Sequence, residues 1–271
     1  MSRELTVMAV HAHPDDEVIS TGGMLARYAV EGIRTVLVTC TNGEQGDDDG
    51  GVKPGEDGHD AAAVRDKRLA ELRESVAHLG IAHVELLGYQ DSGMDGWDTN
   101  HDPDAFWNVP VEQSSARLAA LMERYRPQVV VTYDERGGYG HPDHIQAHRI
   151  AVAATEATDI PDKLYFTAVP RSGIQQMMEY MKSVGMGWDE ELPDDFGTPD
   201  ELITTVLDVA QYVPHKIKAL QAHESQSENM FLLKLPDEAQ QLVFSTESFT
   251  RKVNKTSAAP DHEDDLFAGL R

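Results

Sequence analysis

The sequence predicts an α/β fold with a mostly parallel sheet flanked by helices, and three observations carry that expectation. Short β-rich runs alternate with longer stretches that repeat apolar residues at three- and four-residue spacing, as βαβ units do. The run at residues 129–133 is nearly pure β-branched, as a strand covered on both faces is expected to be. Residues able to do chemistry cluster just past two such runs, where open α/β sheets bind their ligands.

Residues 5–11 read as the first strand, 21–31 as its helix with Gly32 at the stop, and 34–40 as the next strand. A loop rich in Gly and Asp follows. From Ala61 the pattern is helical, with Val64, Leu69, Leu72, Val76 and Leu79 apolar, until Gly80 ends it. Residues 84–87 make a short third strand. The stretch 88–110 holds Trp97, Phe106 and Trp107 among many Asp and Gly, and so long a loop in a compact domain is a candidate pocket rim. A helix at 114–125, the strand at 129–133 and a helix at 142–154 with Pro142 in its first turn follow. Farther on, 164–169 and 203–209 read as strands, and 175–184 and 214–223 as helices. The expected organisation is a Rossmann-like catalytic core over 1–160 and a smaller C-terminal section of the same domain over 161–256 that lines the pocket. A loosely held tail is expected over 257–271.

Composition narrows the function. The 271 residues are 40% hydrophobic, enough for a substantial core. A formal net charge of −24 repels phosphate backbones and anionic lipid, so nucleic acid and membrane surfaces are poor partners. The apolar run at 5–10 is too short for a signal-peptide core or a membrane span. The single cysteine, Cys40, permits no intramolecular disulfide and reads as a small buried hydrophobe. A cytoplasmic protein acting on a small molecule is expected, and self-association into a homo-oligomer is compatible with the sequence.

The first strand ends in His11-Ala-His-Pro-Asp-Asp-Glu17. A histidine and a carboxylate three residues apart around a turn can share a cation while the intervening carboxylate acts as base, which points to His13 and Asp16 with Asp15 between them. Alone, the same segment is equally an acidic turn with Asp capping a helix. The strand at 129–133 feeds a second cluster containing Tyr139, His141, Asp143 and His144, with glycines that permit close backbone approach. His144, early in a helix, supplies a third ligand and leaves an open position of the catalytic kind. His144 and His148 also match the spacing of the helical zinc pair of metalloproteases, but residue 145 is Ile where that motif carries its Glu.

Together, the first motif and Gly140-His-Pro-Asp-His144 resemble the LmbE-like, or PIG-L, family of zinc-dependent N-deacetylases. The likeness extends through residues 39–44, 68–72, 91–94 and 218–223. It lies nearest the mycothiol-pathway branch, which includes the deacetylase of N-acetylglucosaminyl-inositol and the amidase of mycothiol S-conjugates. The resemblance implies one Zn2+ per chain on His13, Asp16 and His144, with Asp15 as general base. It implies His141 at the oxyanion and as proton donor, Asp143 as an orienting carboxylate beside it, and Tyr139 assisting. Arg68, Asp91, Glu44 and His223 match groups that grip the substrate. The implied reaction removes an N-acetyl group from an N-acetylglucosamine-type amino sugar or glycoside. An amidase of S-conjugates and a non-catalytic sugar- or metal-binding module are the alternatives. Ser20 stands where the amidase branch has Lys, which favours the deacetylase, and retention of Asp15 argues against a non-catalytic module.

Overall fold

The computed structural model describes residues 4–48, 50–185, 196–226, 232–256 and 261–271. Its first half alternates strand and helix. The elements are β1 (Thr6–His11), α1 (Asp16–Ile19), α2 (Gly22–Val30), β2 (Arg34–Thr41), α3 (Ala61–Leu79), β3 (His83–Tyr89), α4 (Val111–Tyr125), β4 (Val129–Thr132), α5 (Gly137–Gly140) and α6 (Pro142–Thr158). There follow β5 (Lys163–Ala168), α7 (Arg171–Ser183), β6 (Thr205–Asp208), α8 (Val213–Ala222), α9 (Asp237–Phe244) and β7 (Thr246–Asn254). One seven-stranded sheet runs β3-β2-β1-β4-β5-β7-β6, parallel through β5 and antiparallel at β7 and β6.

Strand order reverses at β1, which pairs with β2 on one side and β4 on the other. A crevice therefore opens beyond the carboxyl ends of β1 and β4, and both chemistry-bearing clusters begin there. The centre of the sheet is buried on both faces, with β1 and β4 buried at every position and β2 at all but Arg34. Val7 and Ala9 pack beneath α2, α3 and α8, while Met8 and Val10 pack beneath α4 and α6.

The helix and strand expectations hold to within a few residues at their ends, and α9, β7 and the one-turn helices α1 and α5 are additions that the sequence pattern did not predict. The 88–110 stretch contains two single 3-10 turns, Asp98–His101 and Phe106–Asn108, with Phe106 in the core. The tail departs from expectation. Residues 257–260 lie outside the described residues, but 261–271 are docked, with Leu266 and Phe267 fully buried against Tyr28 and its neighbours. The buried carboxylate of Glu263 meets Lys163, Arg251 and Tyr165 at 2.5, 2.8 and 2.6 Å, an ionic anchor invisible in the tail's own acidic composition. Among the described residues no helix is long and apolar enough to cross a membrane.

Candidate active site

The turn after β1 presents His13, Asp15 and Asp16, and the segment after β4 presents Tyr139, His141, Asp143 and His144. Each side chain is fixed from behind. The imidazole of His144 donates its Nδ1 proton to the Gly137 carbonyl at 3.1 Å, which leaves Nε2 as a bare lone pair. Gly137 has φ +63°, and a Cβ there would lie 2.6 Å from that of His144, so the close approach needs glycine. His13 turns Nε2 toward Asp143 at 3.2 Å and Asp91 at 3.4 Å, carboxylates that accept its proton and leave Nδ1 as the nitrogen able to bind a metal. Tyr133 accepts from the Ala12 N–H at 2.9 Å and donates to Asp16 Oδ2 at 2.7 Å.

These partners force a confrontation. His13 Nδ1 and His144 Nε2 face each other at 3.3 Å, and Asp16 stands 3.3 Å from the first and 3.4 Å from the second. Two imidazole nitrogens and a carboxylate so close together need a positive charge among them, a proton on His13 when no metal is bound and a divalent ion when one is. Tetrahedral ligands at 2.0–2.1 Å from zinc are spaced about 3.4 Å apart. The donor set and its spacing therefore fit one divalent ion. Buried groups of His13, His141 and His144, and of His13, Asp91, His141 and Asp143, also close within 4.8 Å. In the second of these, however, His13 already donates to the carboxylates.

The local charges agree with this geometry. Burial lowers the His13 pKa, but Asp91, Asp143 and Asp16 outweigh it and raise it well above the usual value, so without a metal the ring holds a second proton on Nδ1, where a cation would otherwise sit. Burial brings His144 down to about 4. Burial would raise Asp16, yet His144 and His13 hold it well below the usual carboxylate range. The Asp143 carboxyl is pushed up to about 6 by burial, although Ser92 binds it through both N–H and Oγ. Asp143 thus orients His13 rather than His141, a correction to the role expected for it.

His141 accepts the Asp143 N–H on Nδ1 at 3.1 Å, so its remaining proton sits on Nε2. Burial, then the neighbouring His13 and His144, lowers its pKa to about 2, which keeps it a neutral donor. Asp15 sits at φ +119°, uncommon for a residue with a side chain, and its N–H is held by Glu17 Oε2 at 2.9 Å. Burial raises the Asp15 pKa, with Arg68 opposing it from 3.1 Å. A carboxylate so raised is poised to take a proton.

A cavity of about 650 Å³ opens in front of these groups. Arg68 and Asp91 are in its wall, with Gln45, Asp47, Lys53 and Gln226. Arg68 also donates to the carbonyls of Gly43 at 2.8 Å and Pro14 at 2.7 Å, so it braces the Asp15 turn. Asp91 accepts from the N–H groups of Gly93 and Gln45. Tyr139 stands at the mouth, 57% exposed, edge-on to the His144 ring at 5.0 Å.

Two expected substrate contacts are not in that wall. His223 is fully buried behind it, its Nε2 bonded to Glu17 at 2.8 Å, because α8 packs its last turn against the β1 turn. Glu44 is also outside the wall, which takes its neighbours Gln45 and Gly46 instead, and its Oε2 is buried without a hydrogen-bond partner. His148 bonds the Tyr133 carbonyl at 2.9 Å, away from the ligand cluster. Sequence reasoning missed Glu17, Tyr133, Ser92 and Gly137 as supports of the site. Glu17 and Gly137 stood inside the quoted clusters, and only their tertiary partners reveal what they do.

A Rossmann-like sheet with a buried His/Asp group able to hold a metal at its switch point, beside a buried carboxylate and a cavity, is the architecture of a hydrolase. The family described as "PIG-L: GlcNAc-PI de-N-acetylase" matches residues 8–155, and the chain belongs to that family. The 1D-myo-inositol 2-acetamido-2-deoxy-alpha-D-glucopyranoside deacetylase of Acidothermus cellulolyticus is 40% identical over 280 residues, covering 98% of this chain and 95% of its own. Among solved structures, N,N'-diacetylchitobiose deacetylase from Pyrococcus horikoshii aligns with a TM-score of 0.58 at 18% identity, over 91% of this chain and 83% of that one. The zinc inhibited form of teicoplanin deacetylase Orf2 aligns at 0.57 with 20% identity, over 91% and 98%. At such identities the two structures speak for the fold alone.

Proposed function

We propose that this enzyme removes the N-acetyl group from an N-acetylglucosamine-type glycoside, of the kind named for its Acidothermus relative, with zinc held by His13, Asp16 and His144. The observation that carries the reading is His13 Nδ1 and His144 Nε2 held 3.3 Å apart beside Asp16 while outer partners engage the other nitrogen of each ring. A divalent ion there supplies Lewis acidity to water and to an amide carbonyl.

The protein groups do the rest. Asp15 takes a proton from the attacking water and passes it to the nitrogen as the C–N bond breaks, leaving acetate and an amine. His141 donates from Nε2 to the carbonyl oxygen as it gains charge, a contact that strengthens in the transition state. Its low pKa suits this neutral donor role better than proton delivery to the amine, so Asp15 serves in both directions. Tyr139 closes the mouth from the opposite side. Arg68 and Asp91, with Gln45 and Gln226 nearby, supply donors and acceptors matched to sugar hydroxyls. Cytoplasmic location and a small-molecule amino-sugar partner complete the proposal.

The test is release of primary amine from N-acetylglucosaminyl glycosides, inositol-linked ones included, by protein stripped of metal and then reloaded. Activity should vanish on stripping and return with one equivalent of zinc. Zinc-loaded protein that releases no amine from any of these glycosides would overturn the assignment.

A further inference from the structure

A second cavity, of about 470 Å³, opens on the other flank of the ligand cluster, beyond the ends of β4 and β5. It shares Asp16, Ile19 and Tyr139 with the first cavity, and His144 lines it too. Phe166, Ala168, Val169, Phe196, Pro199 and Leu202 give it apolar wall, and Asp134, Glu135, Arg136 and Arg171 line it too. Val169, Phe196 and Leu202 keep 55, 40 and 51% of their surface exposed, a grouping of large apolar side chains that marks a binding surface.

The partition of polar groups assigns the two cavities to the two ends of an amide. Asp15 and His141, which act on the water, the oxyanion and the departing nitrogen, line only the first cavity. So do Arg68 and Asp91, the groups suited to sugar hydroxyls. With the nitrogen of an amide on that side of the ligand cluster, its acyl carbon is left to the second cavity, which meets the cluster at Asp16 and His144.

We propose that the second cavity receives the alkyl chain of the substrate's N-acyl group, so that the enzyme hydrolyses N-acyl amino sugars with chains longer than acetyl. The inference rests on the amide-hydrolase reading above. Water adds to the carbonyl carbon, the C–N bond breaks, the fatty carboxylate leaves on the apolar side, and the amine takes its proton from that water through Asp15.

The test compares N-acetyl-, N-butanoyl- and N-octanoylglucosamine glycosides sharing one aglycone, with zinc-loaded enzyme and release of amine as readout. Each methylene that reaches the cavity should raise kcat/KM by about fourfold, the usual worth of burying one CH2. Leu202→Glu and Val169→Glu, at exposed positions outside the catalytic machinery, should abolish that gain and leave acetyl turnover unchanged. A matched series with the alkyl chain on the aglycone and acetyl on nitrogen should show no such gain. Acetyl turnover without any gain for octanoyl overturns this inference alone, as does a gain untouched by both substitutions or a larger gain in the aglycone series. No amine from any member overturns the hydrolase reading, and this inference with it.

Discussion

Asp143→Asn isolates the charge of one buried carboxylate from its shape. Asp143 Oδ2 accepts from Ser92 N–H at 2.9 Å and His13 Nε2 at 3.2 Å, and an amide oxygen in that position keeps both bonds. The new NH2 faces Ser92 Oγ, which already accepts the Trp107 N–H at 2.9 Å and can accept once more by turning its own proton away. The hydrogen-bond count survives, and what changes is that His13 donates to a neutral oxygen. A bond to a charged group is worth about 1.5–3 kcal/mol against about 0.5–1.5 for a neutral one, so His13 should lose roughly 1–1.5 kcal/mol of support as a ligand. That corresponds to about tenfold in zinc affinity, within the 10–100-fold that outer partners of metal-bound histidines typically control. Stability should move little. The carboxyl's folded pKa of about 6 exceeds its unfolded value of 3.8, so its ionisation destabilises the metal-free protein above pH 6, but the same charge helps to hold His13 protonated. Metal-free Asp143→Asn should therefore melt close to wild type at pH 7.5. Competition with a chromophoric chelator measures the first quantity and thermal melting the second. Unchanged zinc affinity with a melting point many degrees lower would refute the reasoning and make Asp143 an anchor for the Ser92 loop.

Three other substitutions separate the roles at the site. Asp15→Asn should retain a full equivalent of zinc while kcat falls by about 10²–10⁴, the usual worth of general acid–base help; metal loss on dialysis would instead make Asp15 a ligand. His141→Ala should lower kcat by about 10²–10³ and leave the shape of the pH–rate profile intact, because the imidazole is neutral down to its pKa of about 2. Loss of one limb of that profile would contradict a neutral donor. Gly137→Ala must place a methyl 2.6 Å from the His144 Cβ and 2.8 Å from the Ile145 nitrogen at φ +63°. A left-handed residue with a side chain costs about 1–2 kcal/mol before any clash, so both melting temperature and zinc affinity should fall. A variant with wild-type affinity would mean that the Gly137 carbonyl does not set the His144 tautomer.

The parallel half of the fold was legible because β1, β2 and β4 are apolar at successive positions, a pattern that only strands covered on both faces produce. β7 was hidden. Its sequence, Thr246–Asn254, mixes charge with apolar residues, and it is a strand because β6 and β5 flank it, about 40 residues away in sequence in the first case and 80 or more in the second. The tail misled for a similar reason, since Leu266 and Phe267 are two apolar residues in an acidic stretch and their partner Tyr28 lies at the other end of the chain. Within the site, the convergence of His13, Asp16 and His144 was readable from spacing at strand ends. Their supports were not, since Asp143 reaches His13 across 130 residues and Tyr133 reaches Asp16 across 117. His223 was misplaced because a histidine at a helix end is equally suited to a pocket and to a buried pair, and only the position of Glu17 decides between them.

The central claim is the position of the metal. Crystals of the zinc-loaded protein, measured on both sides of the zinc absorption edge, locate the ion by anomalous scattering without reference to any assumed ligand. The account predicts one strong peak per chain about 2.0–2.2 Å from His13 Nδ1, His144 Nε2 and an Asp16 oxygen. A peak on the opposite face of His13, between Nε2, Asp91 and Asp143, would contradict both the ligand set and the tautomers on which the proposed chemistry depends.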